Sequence, residues 1–152
     1  VNSQLQVELL KKAAAAKGIT VKEATVSTVN DIQQAARSLA GDVQAVYVPT
    51  DNVLASAIPT LISVTEEAKL PVICAEGGMV RAGGLATLGV DYYKLGFQTG
   101  VMAADILSGK SKPADMAIQA QKEFKPTINL KEAAKIGLKV PEDLLKGAEV
   151  IK

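Results

Sequence analysis

The run Ala45-Val46-Tyr47-Val48, stopped by Pro49 and followed by Thr50-Asp51-Asn52, constrains this chain more than any other stretch. Four apolar residues bounded by turn formers are the pattern of a strand buried on both faces. Asp51 or Asn52 can cap a helix that opens near Val53. A buried strand feeding into a helix is the start of a βαβ unit, and in open sheets of that kind ligands bind outside the carboxyl ends of the strands. Thr50, Asp51 and Asn52 therefore have two readings, as helix-start residues and as groups that meet a small polar ligand.

The rest of the chain repeats the alternation. Residues 4–17 read as an amphipathic helix with Leu5, Leu9, Ala13 and Ala16 on one face, opened by Asn2 or Ser3 and closed by Gly18. Residues 19–28 are rich in β-branched types and read as a strand. Asn30 with Gln33 resembles a capping box, opening a helix through Leu39 that ends at Gly41. The helix over residues 53–69 contains Pro59, which must kink it or restart it. Residues 71–75 form the next buried strand, ending at Glu76-Gly77-Gly78. Gly83-Gly84 introduce a strand over residues 85–90, and Asp91 can cap a long helix over residues 92–107. Beyond Pro113 the pattern weakens, to short strands over 116–121 and 127–130 and short helices over 131–136 and 142–145. This spacing predicts one α/β domain over residues 1–152, a flavodoxin-like three-layer sandwich on a mainly parallel sheet.

Composition narrows the chemistry. The chain has 152 residues, no His, one Cys and a net charge of +1 without a basic run, so nothing points to nucleic acid or an anionic membrane. Lacking His, it lacks the commonest general base and metal ligand, and Ser27, Ser38, Ser56 and Ser63 have no partner for a hydrolase. Gly77-Gly78 and Gly83-Gly84 match neither a dinucleotide fingerprint nor a phosphate loop, and fit tight turns around a short helical excursion. No cofactor or metal is called for. Cys74 reads as an inert core thiol. No apolar run has the length of a membrane span, and the N-terminus is not a signal peptide.

Three strands in succession end in polar groups: Thr50-Asp51-Asn52, Glu76 and Asp91. Parallel strands share one rim, so these groups can converge. Carboxylates and amides suit an ammonium or several hydroxyls, and two helix N-termini nearby suit a carboxylate. The set fits an amino acid or a sugar, although Asp and Asn are also frequent as helix caps without any ligand. Tyr92 and Tyr93 can add an aromatic face or pack on the sheet. Arg81 can bind an anion or stand solvated.

VELLKKAAAAKGI, NDIQQAARSLA, AVYVPTDNVLASA, PVICAEGG, ATLGVDYYKLGFQTGVMAADIL and INLKEAAKIGLKVPEDLL, in this order, resemble an ABC-transporter substrate-binding protein. The subfamily is the one linked to aromatic amino acids such as tryptophan and tyrosine, with the type I periplasmic-binding-protein fold. The resemblance covers nearly the whole chain, and YVPTDN and ATLGVDYYKLGFQTG carry most of it. It implies two α/β lobes joined by hinge strands and closing on a ligand between them. It places Thr50, Asp51 and Asn52 on the cleft wall of the second lobe, Glu76 after the next strand, Asp91 and Tyr92 after the strand returning towards the first lobe, and Asn2 and Ser3 at the opening of the first helix. Glu76-Gly77-Gly78 and Pro59 depart from the family pattern. The implied protein is not an enzyme. It binds an amino acid outside the cytoplasm, free in the periplasm or lipid-anchored at the cell surface, and partners an ABC permease.

Complete members are about twice as long as this chain, consistent with two domains of ordinary size. The first lobe, and a central strand expected just before Asn2, are not in the sequence. The expectation is that residues 85–90, or a strand exchanged with a second copy in a homodimer, fill that central slot. The leading reading is thus a solute-binding module; the alternative is a truncated or engineered flavodoxin-like lobe without retained binding. An isomerase or phosphatase on a similar sheet has no supporting motif.

Overall fold

The computed structural model describes residues 2–121, 124 and 126–152. Its centre is a five-stranded sheet in the order β1 (Val46–Val48), β2 (Val72–Cys74), β3 (Ala86–Thr87), β4 (Thr127–Asn129) and β5 (Glu149–Ile151). All neighbours are parallel except β3 and β4. The helices are α1 (Asn2–Ala15), α2 (Ile32–Leu39), α3 (Asn52–Ser56), α4 (Ile58–Glu67), α5 (Gly77–Arg81), α6 (Tyr92–Leu107), α7 (Leu130–Lys135) and α8 (Glu142–Leu145). This is the expected mixed α/β architecture, with a mostly parallel sheet flanked by helices.

The core forms where β1 and β2 meet α2 and α4: Val46, Val48, Val72 and Cys74 bury against Ile32, Ala36, Ile58, Leu61 and Ile62. Val46 and Val48 are buried on the face that packs on α2 and α4, whereas Tyr47 is half-buried and its β2 partner Ile73 is exposed, so the expected burial on both faces holds on one only. Leu85, Ala133 and Ile136 make a second cluster under α7. Asn129 joins the two regions: its buried amide donates to the Val80 carbonyl at 3.2 Å, and its Oδ1 accepts from the Glu132 N–H at 3.1 Å. On the surface of that region Lys135 pairs with Glu66 at 2.6 Å and approaches Glu132 at 3.5 Å.

Pro59 restarts the helix rather than kinking it, with Ala57 between α3 and α4 and Pro59 in the first turn of α4, where a missing N–H costs nothing. Other expectations are corrected. A 3-10 turn over Val29–Asp31 precedes α2, so the cap is built from Thr28 and Asp31, two residues before the expected Asn30 and Gln33 in one case and in the other. Asp31 Oδ2 accepts from the Thr28 N–H at 2.8 Å and the Ser27 N–H at 3.0 Å. Residues 19–28 and 116–121 form no strand. Strand propensity reports fit to a half-buried pleated surface, and neither segment has a ladder beside it. Residues 19–28 are instead held by Val26 against the core and by the Lys22–Asp42 and Lys11–Glu23 ion pairs. β5 was not anticipated; three residues are too few to show a period.

The outer edge of β1 has no strand paired to it among the described residues. Residues 85–90 do not fill a slot there: Ala86 pairs with Ile73 on one side and Ile128 on the other, at the middle of the sheet. The face of α1 expected to turn inwards is exposed, Leu5 by 64% and Leu9 by 57%, because the sheet ends at β1 and offers that stripe nothing to cover. Only Ala14 of α1 is buried.

Candidate functional site

β1 and β2 run parallel, so their carboxyl ends open on one side, and each delivers a polar turn into a helix start. At the end of β1, Asp51 caps α3: Oδ1 accepts from the Val53 N–H at 2.9 Å and the Leu54 N–H at 3.2 Å. Its other oxygen accepts from the Ser3 hydroxyl at 3.2 Å, tying the start of α1 to this rim. Gln6, one turn further along α1, accepts the Thr50 N–H at 2.9 Å and donates to the Thr50 hydroxyl. At the end of β2, Glu76 caps α5, its two oxygens accepting from the Gly78 and Met79 N–H groups at 2.6 Å each. A Cβ at Gly78 would lie 2.8 Å from Glu76 Oε2, so any larger residue there would make the carboxylate shift.

These turns border an open cavity of about 460 Å³ lined by Asn2, Thr50, Asp51, Asn52, Ala55, Glu76, Met79 and Tyr92. Six of the eight residues named from the sequence surround it: Asn2, Thr50, Asp51, Asn52, Glu76 and Tyr92. Ser3 stands behind the wall, on Asp51. Asp91 does not line the cavity: it caps α6 through the Tyr93 and Lys94 N–H groups at 3.0 and 3.1 Å, and its own N–H donates to Gln121 at 2.9 Å. Gln6, Ala55 and Met79 were not anticipated. Gln6 could have been: at four residues from Asn2 it shares that residue's helix face.

At the helix ends nearest the cavity, the Val53 and Leu54 N–H groups of α3 and the Gly78 and Met79 N–H groups of α5 are already engaged by the chain's own Asp51 and Glu76. Arg81 pairs with Glu149 at 2.6 Å. Beneath the rim, Cys74 is inert: burial, then the charge of Glu76, push its thiol up to about 12. Among the described residues no group of His, Cys, Asp and Glu side chains could hold a metal ion. None of their helices is long and apolar enough to cross a membrane.

In three dimensions the chain is similar to solved substrate-binding proteins. A domain from Streptococcus pneumonia, solved as an ABC domain in complex with L-Trp, superposes with a TM-score of 0.89 at 36% identity, covering 99% of this chain and 51% of that one. A ligand-free, open substrate binding protein with adhesive properties from Clostridium difficile gives 0.78 at 37% identity, over 100% of this chain and 50% of the other. In sequence, the tyrosine-binding protein of Clostridioides difficile strain R20291 is 42% identical over 111 residues, 73% of this chain and 32% of that protein. Residues 1–152 match the ABC transporter substrate binding protein family throughout, and the chain belongs to that family. It spans about half the length of the solved relatives and a smaller share of the curated one.

Proposed function

We propose that this chain is one α/β lobe of a solute-binding component of an ABC importer, and that an amino-acid-like solute, with tryptophan and tyrosine the leading candidates, seats at the carboxyl ends of β1 and β2. The observation that carries the reading is the cavity of about 460 Å³ whose wall is made by Asn2, Thr50, Asp51, Asn52, Glu76 and Tyr92. Six polar side chains around one ligand-sized space, several of them held by neighbours rather than free to rotate, form a preorganised site. The L-Trp complex and the tyrosine-binding relative support an amino acid as the solute class. The role is capture and delivery to a permease outside the cytoplasm, without catalysis.

Calorimetric titration of the chain with L-tryptophan, L-tyrosine and a neutral sugar tests this. Saturable binding of either amino acid, weakened at least severalfold by Asp51→Ala, is the expected result; binding of the sugar alone would overturn it. The edge of β1, which has no strand paired to it among the described residues, and the exposed Leu5, Leu9 and Ile19 favour a second arrangement of the same module, a homodimer formed by strand exchange. A native mass spectrum reads it directly, as a concentration-independent dimer or a monomer.

A further inference from the structure

We propose that Glu132 of α7 and Glu66 of α4 share a single proton, and that its loss as pH rises loosens α7 from α4. The proposal starts from a cluster of three side chains where the two helices meet. Lys135 Nζ lies 2.6 Å from a Glu66 oxygen and 3.5 Å from a Glu132 oxygen, so one ammonium serves two carboxyl groups. The two carboxyls are also within hydrogen-bonding reach of each other. Their surroundings differ: the Glu132 side chain is 2% exposed, that of Glu66 30%. Two carboxylates this close cannot both ionise easily, and the buried one holds its proton longer.

The groups around the pair point the same way. Lys135 is closer to the more exposed Glu66, so that is the charge it offsets first. β5, which packs on α7, brings Glu149, and that carboxylate is held by Arg81 at 2.6 Å. β4 brings Asn129, whose neutral Oδ1 accepts the Glu132 N–H at 3.1 Å. Burial first, and then the charge of Glu66, hold the Glu132 carboxyl above its ordinary value of 4.5. Protonated, Glu132 donates its O–H to the Glu66 carboxylate, which has lone pairs left for Lys135. The helices are then joined, and one negative charge faces one positive. When Glu132 gives its proton to water, two negative charges face the one ammonium of Lys135 among the described residues. Parting of α7 from α4 lets solvent reach the buried one. Below pH 4.5 both arrangements hold the proton and nothing is lost; the loss builds from there up to the raised value of the closed arrangement.

The test follows the Glu132 side-chain carboxyl by carbon NMR while the full 152-residue chain is titrated from acid to alkaline pH. The expected midpoint lies above 4.5 and above that of Glu66. In Glu66→Gln the accepting charge is gone and Lys135 is left to Glu132, so the Glu132 midpoint must fall. An unchanged midpoint would mean that burial acts alone and would overturn the shared proton, as would a parent midpoint at or below 4.5. Hydrogen exchange of the α7 amides reads the loosening. Each rate is taken relative to Glu132→Gln at the same pH, which cancels the ordinary pH dependence of exchange. Relative protection of α7 should fall as pH rises, in total by about tenfold for each unit that the midpoint stands above 4.5. Relative protection that stays level across the titration overturns the proposal. So does an α7 whose amides exchange only together with those of β1 and β2, since the opening would then be global.

Discussion

Replacing Gly89 by Ala should cost this lobe more than any other single methyl group. A Cβ at that position would lie 2.0 Å from the Ala75 carbonyl oxygen and 2.5 Å from the Thr87 hydroxyl oxygen. A carbon rests against a carbonyl oxygen at about 3.3–3.6 Å, so the backbones must part by more than about 1 Å. The obstacle is main chain, which cannot rotate away, and it lies where Glu76 and Val90 make a parallel bridge. Overpacking of this kind costs typically 1–3 kcal/mol, and rigid neighbours put Gly89→Ala near about 3. For a chain of this size that lowers the melting temperature by about 6–12 °C, read by circular dichroism. Gly100→Ala is the control: nothing lies within 4 Å of its added Cβ, in the interior of α6, where Ala is favoured over Gly by about 0.5–1 kcal/mol. A Gly89→Ala protein that melts within about 2 °C of the parent would refute the steric argument.

Glu132 and Cys74 give further expectations. Glu132 is only 2% exposed, and burial, then the negative charge of Glu66, hold its carboxyl above the usual range despite the opposing pull of Lys135. With the folded value raised, both states are protonated below about pH 4.5 and nothing is lost; as pH rises through the folded value, the native state must bear a buried charge and loses stability. Glu132→Gln should therefore melt higher than the parent at pH 7, with the two curves converging near pH 4, and equal melting at pH 7 would count against the argument. Cys74, buried and with its thiol pushed up to about 12, should resist iodoacetamide in the native protein at pH 8 and react readily in denaturant, as mass spectrometry of the alkylated chain would show.

What could be read from the residues and what could not divide along physical lines. The convergence of Thr50, Asp51, Asn52 and Glu76 was legible because parallel strands bring their carboxyl ends to one rim, a relation that needs only order and direction. Asp51 and Asp91 as caps were legible because capping is local. That Glu76 also caps depends on its side chain folding back by a few ångströms, which no periodicity encodes. Gln6 reaching Thr50 joins residues 44 apart in the chain. The apolar stripe of α1 and the β-branched run over residues 19–28 misled for a shared reason: both patterns describe what a segment can pack against, and the sheet beside them stops at β1.

α6 brings a different consequence. It runs for 16 residues without one buried side chain, and Tyr93, Phe97 and Leu107 are 84, 70 and 88% exposed. Helices of about that length are marginal in water unless an apolar face is packed. The lobe therefore does not unfold as a single unit. Amides of α6 should exchange their hydrogens with solvent through local fraying, at a free energy close to zero, while those of β1, β2 and α4 wait for global opening. The boundary between the two regimes falls at Asp91, next to Tyr92 on the cavity wall, so the edge of the proposed solute site is also the edge of the cooperative core.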